Sequence, residues 1–157
     1  MNFPMNGACY CGAVHYRLEQ KPMFVNCCHC TDCQKQTGGT FAVNAIIEAA
    51  SVTVLSGKPV PVRMHTDSGA VHDIYRCPQC QTALWSDYGY GVMLFVRAVT
   101  LEHPEDVSPG AHIFIRSQQP WETRPTDAPC FEEFYDREKL WPAESLARRA
   151  ALLGPGK

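Results

Sequence analysis

The sequence predicts a mainly β domain with short helices and a C-terminal helix, its strand ends held by metal. Three observations predict it. Short runs of alternating apolar and polar residues recur between Gly, Pro, Asn and Asp breaks over most of the chain. The cysteines cluster in spacings of one and two residues at the ends of those runs. Only the last segment turns to a helical period. A chain of 157 residues is long enough for one core and short for two, so we read a metal-binding domain over residues 1–135 and a helical tail over 136–157.

Taken in order, Val14, Tyr16 and Leu18 alternate with His15, Arg17 and Glu19, the pattern of a half-buried strand with Cys9 and Cys11 at its mouth. Lys21-Pro22 ends it. The stretch Cys27-Cys28-His29-Cys30-Thr31-Asp32-Cys33 follows, with tight-turn residues inside it, and a short helix capped by Thr31 and stopped at Gly38-Gly39 is expected next. Cys33 then falls in the first helical turn, where backbone amides and the helix dipole favour a thiolate. Residues 41–47 and 51–55 read as core strands, and Val60, Val62 and Met64, interleaved with Pro59 and Pro61, as an edge strand.

A turn at Asp67-Ser68-Gly69 sends the chain back along Val71 to Arg76, which delivers Cys77-Pro78-Gln79-Cys80 as a knuckle. Thr82 to Trp85 and Val92 to Val99 continue as strands around a glycine-loosened loop at Tyr88 and Tyr90, and His112 to Arg116 gives a further one. Pro120-Trp121, Pro125 and Pro129 form an irregular arm with Trp121 as its anchor on the domain. Pro142 at the start, Glu144 in the first turn, Leu146, Ala150 and Leu153 on one face, Arg148-Arg149 late and Gly154 after the end describe an amphipathic helix.

Composition excludes several classes of function. With 14 basic and 16 acidic side chains and a net charge of -2, the chain carries no field suited to nucleic acid or anionic lipid. No apolar run is long enough for a membrane span, and the first residues do not read as a signal peptide, so a cytoplasmic protein is expected. Nine cysteines, an odd number without an export signal, point to metal rather than disulfides. Oligomeric state is left open.

Sorted by spacing, Cys9 and Cys11, Cys28, Cys30 and Cys33, and Cys77 and Cys80 supply seven sulfurs. A structural zinc closes its shell with four protein ligands and a catalytic zinc keeps three. The count favours Cys9, Cys11, Cys77 and Cys80 as a closed site and Cys28, Cys30 and Cys33 as an open one, while exchange of a pair between them stays open. So does a second closed site completed by Cys27 or His29. Cys130 reads as a small buried hydrophobe, His15 and His103 as surface residues, and His112 as a hydrogen-bonded structural histidine outside the metal sites.

Gly7 to Gly12 with its Cys-x-Cys, Cys28-His29-Cys30-Thr31-Asp32-Cys33, and Cys77 to Cys80, in that order, resemble the motifs of the glutathione-dependent formaldehyde-activating family. His112 to Ile115 and Pro120-Trp121 are similar to that family's closing strand and tryptophan arm, and the resemblance spans residues 7–135. It implies a β-tent fold of coiled antiparallel sheets, a structural zinc on Cys9, Cys11, Cys77 and Cys80, and a catalytic zinc on Cys28, Cys30 and Cys33. It also implies a carbon-sulfur lyase activity that joins glutathione to formaldehyde.

The residues suit that chemistry. Three thiolates on Zn²⁺ leave a net charge near -1, which weakens Lewis acidity and makes a fourth sulfur a better guest than hydroxide. A metal-bound thiol ionises well below its free value of about 8.5 and stays nucleophilic. Lys35, Arg116 and the Thr37-Gly38-Gly39 backbone are candidate partners for the carboxylates of such a thiol. The alternative is a non-catalytic zinc module that binds a protein partner, distinguished by a fourth protein ligand at the inner site.

Overall fold

The computed structural model describes residues 3–65, 69–123 and 127–154. Among them, ten strands form two sheets. The smaller sheet is antiparallel, with β1 (Met5–Ala8), β2 (His15–Leu18) and β5 (Val52–Ser56) in the order β1-β2-β5. The larger holds β3 (Phe24–Cys28), β4 (Ala42–Glu48), β6 (Val60–Arg63), β7 (Asp73–Arg76), β8 (Ala83–Asp87), β9 (Met93–Arg97) and β10 (Ala111–Ile113). Its order is β10-β3-β4-β9-β8-β7-β6, antiparallel except where β10 runs parallel to β3. No described helix is long and apolar enough to cross a membrane.

The period of two fixes what each face carries. In β2, Tyr16 and Leu18 are buried and His15 is exposed. The interior strand β4 is covered on both faces and mostly apolar: Ala45 and Ile47 join Tyr16, Leu18, Trp85 and Val96 in one core, while Ala42 and Ile46 join Met93, Ile113, Tyr135 and Trp141 in another. The small sheet contributes to the first core, and the C-terminal chain to the second. β1 escapes a reading by propensity because Gly7 sits in it. A Cβ there would come within 2.4 Å of the Tyr16 ring, so the two strands pair closely only with glycine at that position.

Several expectations need correction. The helix α1 (Thr31–Thr37) is capped by Cys30, not Thr31: Cys30 is extended and its Sγ accepts from the Cys33 amide, doing with sulfur what a Ser or Asp oxygen does elsewhere. Gly38 ends α1 in the left-handed conformation, as expected. β5 is an outer strand of the small sheet with Val54 and Leu55 exposed, not a core strand. β10 stops at Ile113 because Phe114 takes a positive φ of 56° and turns the chain into a 3-10 turn. Trp121 is 74% exposed rather than packed onto the domain, and Cys130 is exposed rather than buried. β6 and β7 pair as the expected edge hairpin, although Asp67 and Ser68 of its turn, and Pro125 of the arm, lie outside the described residues.

The C-terminal chain forms α2 (Arg137–Leu140) and α3 (Ala143–Leu153), which pack on the second core. Ala150, expected on the buried face of α3, is exposed; Ser145, Leu146, Arg149, Leu152 and Leu153 face inward instead. The Trp141 Nε1–H donates to the Tyr135 hydroxyl, which donates to Asn26 Oδ1 on β3, both at 2.8 Å. Ser145 donates to the Met23 carbonyl, and Arg148 donates through two nitrogens to the Glu48 carboxylate at 2.7 and 2.6 Å.

Burial works against the Glu48 carboxylate, but Arg148 outweighs it and holds the pKa below its ordinary value. The pair therefore stabilises fully above the ordinary glutamate range, and this contribution is lost as pH falls through the depressed folded value. Glu48→Gln is expected to cost about 1.5–3 kcal/mol at neutral pH. Urea unfolding of the two proteins should give midpoints that converge as pH is lowered below about 4.

Candidate metal centres and the cavity beside them

Cys9 and Cys11 lie in the turn after β1, and Cys77 and Cys80 in the turn between β7 and β8. The knuckle is closed by Cys77 N–H to the Thr82 carbonyl and Gln81 N–H to the Cys77 carbonyl, with Gln81 in the left-handed region. The four Sγ atoms lie within 4.8 Å of one another, with Cys9 to Cys11 at 3.6 Å and Cys11 to Cys77 at 3.8 Å. Four thiolates at Zn–S distances of about 2.3 Å in a tetrahedron stand about 3.8 Å apart, so the donor set and its spacing fit zinc. The Val14 amide donates to Cys9 Sγ at 3.2 Å, and Thr82 holds Cys80 down to about 5 through its hydroxyl and then its amide.

Cys28 ends β3, Cys30 caps α1 and Cys33 lies in its first turn, and their Sγ atoms fall within 4.8 Å of one another. Hydrogen bonds from Cys28 and then Cys33 pull Cys30 down to about 2, while the same bond pushes Cys28 far up. The three sulfurs thus hold one negative charge readily and further ones only with a cation among them. Three soft donors suit a metal that keeps a further position open.

A third cluster sits on the other face of β3. Alternation points Cys27 away from Cys28, and it meets His29 and His112, all three buried. His29 Nε2 stands 3.5 Å from Cys27 Sγ and 2.9 Å from His112 Nδ1, and its Nδ1 is 3.3 Å from the buried Glu122 carboxylate. Two nitrogens on one tetrahedral ion at about 2.0–2.1 Å stand about 3.4 Å apart. The observed 2.9 Å is shorter than that and is a hydrogen-bond distance, so the arrangement described is a hydrogen-bonded pair of rings beside a thiol, while the three ligand atoms still lie close enough together to hold an ion. Burial, then the Glu122 charge, pushes Cys27 up to about 12, consistent with a neutral thiol. His112 is buried and hydrogen-bonded to His29, as a structural histidine is, and it also belongs to a group of ligand atoms close enough to hold an ion; Glu122 gave no motif by which to find it. His15 and His103 are exposed, as expected.

Cys28, Cys30 and Cys33 open on a cavity of about 810 Å³. Its walls are largely aromatic, from Tyr88, Tyr90, Phe95, Phe114, Phe134 and Trp141, with Arg116, Arg137 and Arg149 among them. Of the sequence candidates for holding carboxylates, Arg116 lines the cavity but is ion-paired to Glu133; Lys35 and residues 37–39 do not line it. His72 was not foreseen. It lines the cavity, stacks on Tyr88 with ring centroids 4.3 Å apart, and is held below its ordinary pKa by burial and then by Arg97, so it is a neutral imidazole at pH 7. Behind it, the Arg97 guanidinium donates to Ser86 Oγ and Asn44 Oδ1, which gives a buried cation its acceptors.

The family model of the glutathione-dependent formaldehyde-activating enzyme matches residues 4–117. A Halomonas elongata protein described as "Putative glutathione-dependent formaldehyde-activating enzyme" is 28% identical over 160 residues, covering 96% of each chain. A crystal structure of a Rhodobacter sphaeroides protein shares the fold with a TM-score of 0.51 at 23% identity, covering 66% of this chain and 95% of that one. The matched segment contains all three cysteine clusters and His112, whereas Glu122, Arg137 and Arg149 lie beyond it.

The hydrogen-bonded reading of the third cluster has a direct check. Cys27→Ala should leave metal content per chain unchanged, whereas His112→Leu should cost about 2–4 kcal/mol by removing a partner of the buried His29 beside Glu122. Elemental analysis and urea unfolding measure the two effects. Loss of one metal equivalent in Cys27→Ala would identify a metal site instead.

Proposed function

The chain belongs to the glutathione-dependent formaldehyde-activating enzyme family, and from that premise we propose that it is a carbon-sulfur lyase that adds a glutathione-type thiol to an aldehyde, or cleaves the adduct, beside Cys28, Cys30 and Cys33. Addition forms one C–S bond, and the carbonyl oxygen takes up a proton as the thiol loses one. One zinc on Cys9, Cys11, Cys77 and Cys80 is structural in this reading and one on Cys28, Cys30 and Cys33 is catalytic. Zinc at the inner position supplies a site at which an incoming thiol ionises at neutral pH.

The observation that carries the reading is the asymmetry of the two thiol groups. Four sulfurs gather at the outer group, whereas the inner three face a large cavity and Cys27 and His29, which would have closed the set, are turned to the other side of β3. A closed inner site completed by either residue, the mark of a purely binding module, thus lacks its fourth ligand. The chain's residues do the rest. Cys33 N–H supports the Cys30 thiolate. The aromatic walls give the ligand an apolar surface beside the thiols. His72 is a neutral imidazole on the cavity wall, able to accept or return the proton that moves between sulfur and oxygen.

Protein purified without added metal should carry about two zinc ions per chain, and Cys30→Ser should stay folded with about one fewer, whereas Cys77→Ser should lose structure along with metal. Equal loss of fold in both variants would overturn the assignment of roles. With cobalt in place of zinc, glutathione should change the absorption of wild type and leave that of Cys30→Ser unaltered. Glutathione and formaldehyde should yield S-hydroxymethylglutathione, followed by NMR, faster with the zinc protein than without it.

A further inference from the structure

Arg149 lies on α3 with 6% of its surface exposed, lines the cavity beside the inner thiols, and leaves its Nε without a hydrogen-bond partner among the described residues. None of the ion pairs among the described residues includes it. The contrast with its neighbours is instructive. Arg148 has the Glu48 carboxylate, Arg116 has Glu133, and the buried Arg97, whose Nε is likewise unpartnered, donates through both terminal nitrogens to Asn44 and Ser86, as Arg149 does to none of the described residues. A guanidinium this buried, with its Nε unpartnered, is costly to keep, and an acceptor supplied by a ligand would offset that cost.

Arg137 lines the same cavity, its Cζ 5.6 Å from the centre of the Trp141 ring. Burial, then the charge of Arg137, disfavours the Arg149 cation, so the two cations repel each other across a space that a carboxylate would neutralise. Tyr90 and Glu138 are felt electrostatically by Arg149 without bonding to it, and Asp32, in the first turn of α1, is the acidic residue among those lining the cavity. The planar fork of arginine matches a carboxylate through two parallel hydrogen bonds.

We propose that Arg149 and Arg137 form a carboxylate-binding subsite of this cavity, so that a ligand whose sulfur reaches Cys28, Cys30 and Cys33 is anchored by its carboxylate to the C-terminal segment. The identity of that ligand as a thiol rests on the function proposed above; the subsite itself rests on the arginines. Recognition of the substrate thereby falls to residues beyond the matched segment 4–117, while the thiol chemistry stays within it.

The test is calorimetric titration of the zinc-loaded protein with glutathione, with the diamide of glutathione, in which both carboxylates are masked, and with phenylacetate, a carboxylate without a thiol. Wild type is expected to bind glutathione about tenfold or more tighter than the diamide. Arg149→Met should erase that preference by weakening glutathione alone, and Arg149→Lys, which keeps the charge without the fork, should fall between. Arg149→Met should also melt at or above the wild-type temperature, since it removes an unpaired buried charge. Arg137→Gln, at a less buried position, should reduce the preference in part.

Equal binding of glutathione and the diamide by wild type would overturn the subsite and leave the thiol reading intact. So would an equal loss of both ligands in Arg149→Met. Phenylacetate binding that needs Arg149, in a protein indifferent to glutathione, would retain the subsite and overturn the thiol reading.

Discussion

Thiols held within 4.8 Å of one another cannot all ionise unless a cation or shared protons stand between them, and the architecture is arranged around that constraint twice. At the outer group the constraint is met symmetrically, by four sulfurs drawn from two turns far apart in sequence, with Val14 and Thr82 lending hydrogen bonds to the anions. At the inner group three sulfurs come from one short stretch, and Cys30 takes the charge chiefly through hydrogen bonds from Cys28 and then Cys33, with the amide bond by which it caps α1 a smaller contribution. The same residue terminates a strand-to-helix turn and carries the local negative charge. Local structure and electrostatics cannot be separated there.

Strand alternation then decides which groups share a compartment. Asn26 and Cys28 face the cavity, while Cys27 on the same strand meets His29 and His112 on the opposite face. β10 repeats the division beside it, with Ile113 on the cavity and His112 turned away. A shift of one residue in the pairing of β3 with β4 would exchange Cys27 for Cys28 and destroy both arrangements. The uninterrupted pairing of Phe24 to Cys28 with Ile46 to Ala42 is therefore as much a part of the site as the sulfurs are.

The sequence made some of this legible and some not, for physical reasons. Cysteines at fixed short spacings can converge only by tight turns, so the grouping could be read without coordinates, and β2, β4, β9 and the edge position of β6 followed from period and proline. β1 was missed because its glycine has a packing role that propensity does not record, and β5 was placed in the core because Val and Leu say nothing about which sheet edge they occupy. The exposed Trp121 and Cys130 show that a large or soft apolar side chain after a proline need not be buried. Arg137, Arg149 and His72 carried no local signal, since cavities are built from residues distant in sequence.

The wall formed by Tyr135, Trp141 and α3 comes from residues that follow every cysteine of the two thiol groups along the chain. A nascent chain has its inner thiols complete at Cys33 and its outer ones at Cys80, long before Trp141 can reach Tyr135 and Asn26. The donors thus precede, along the chain, the C-terminal residues that wall the cavity beside them.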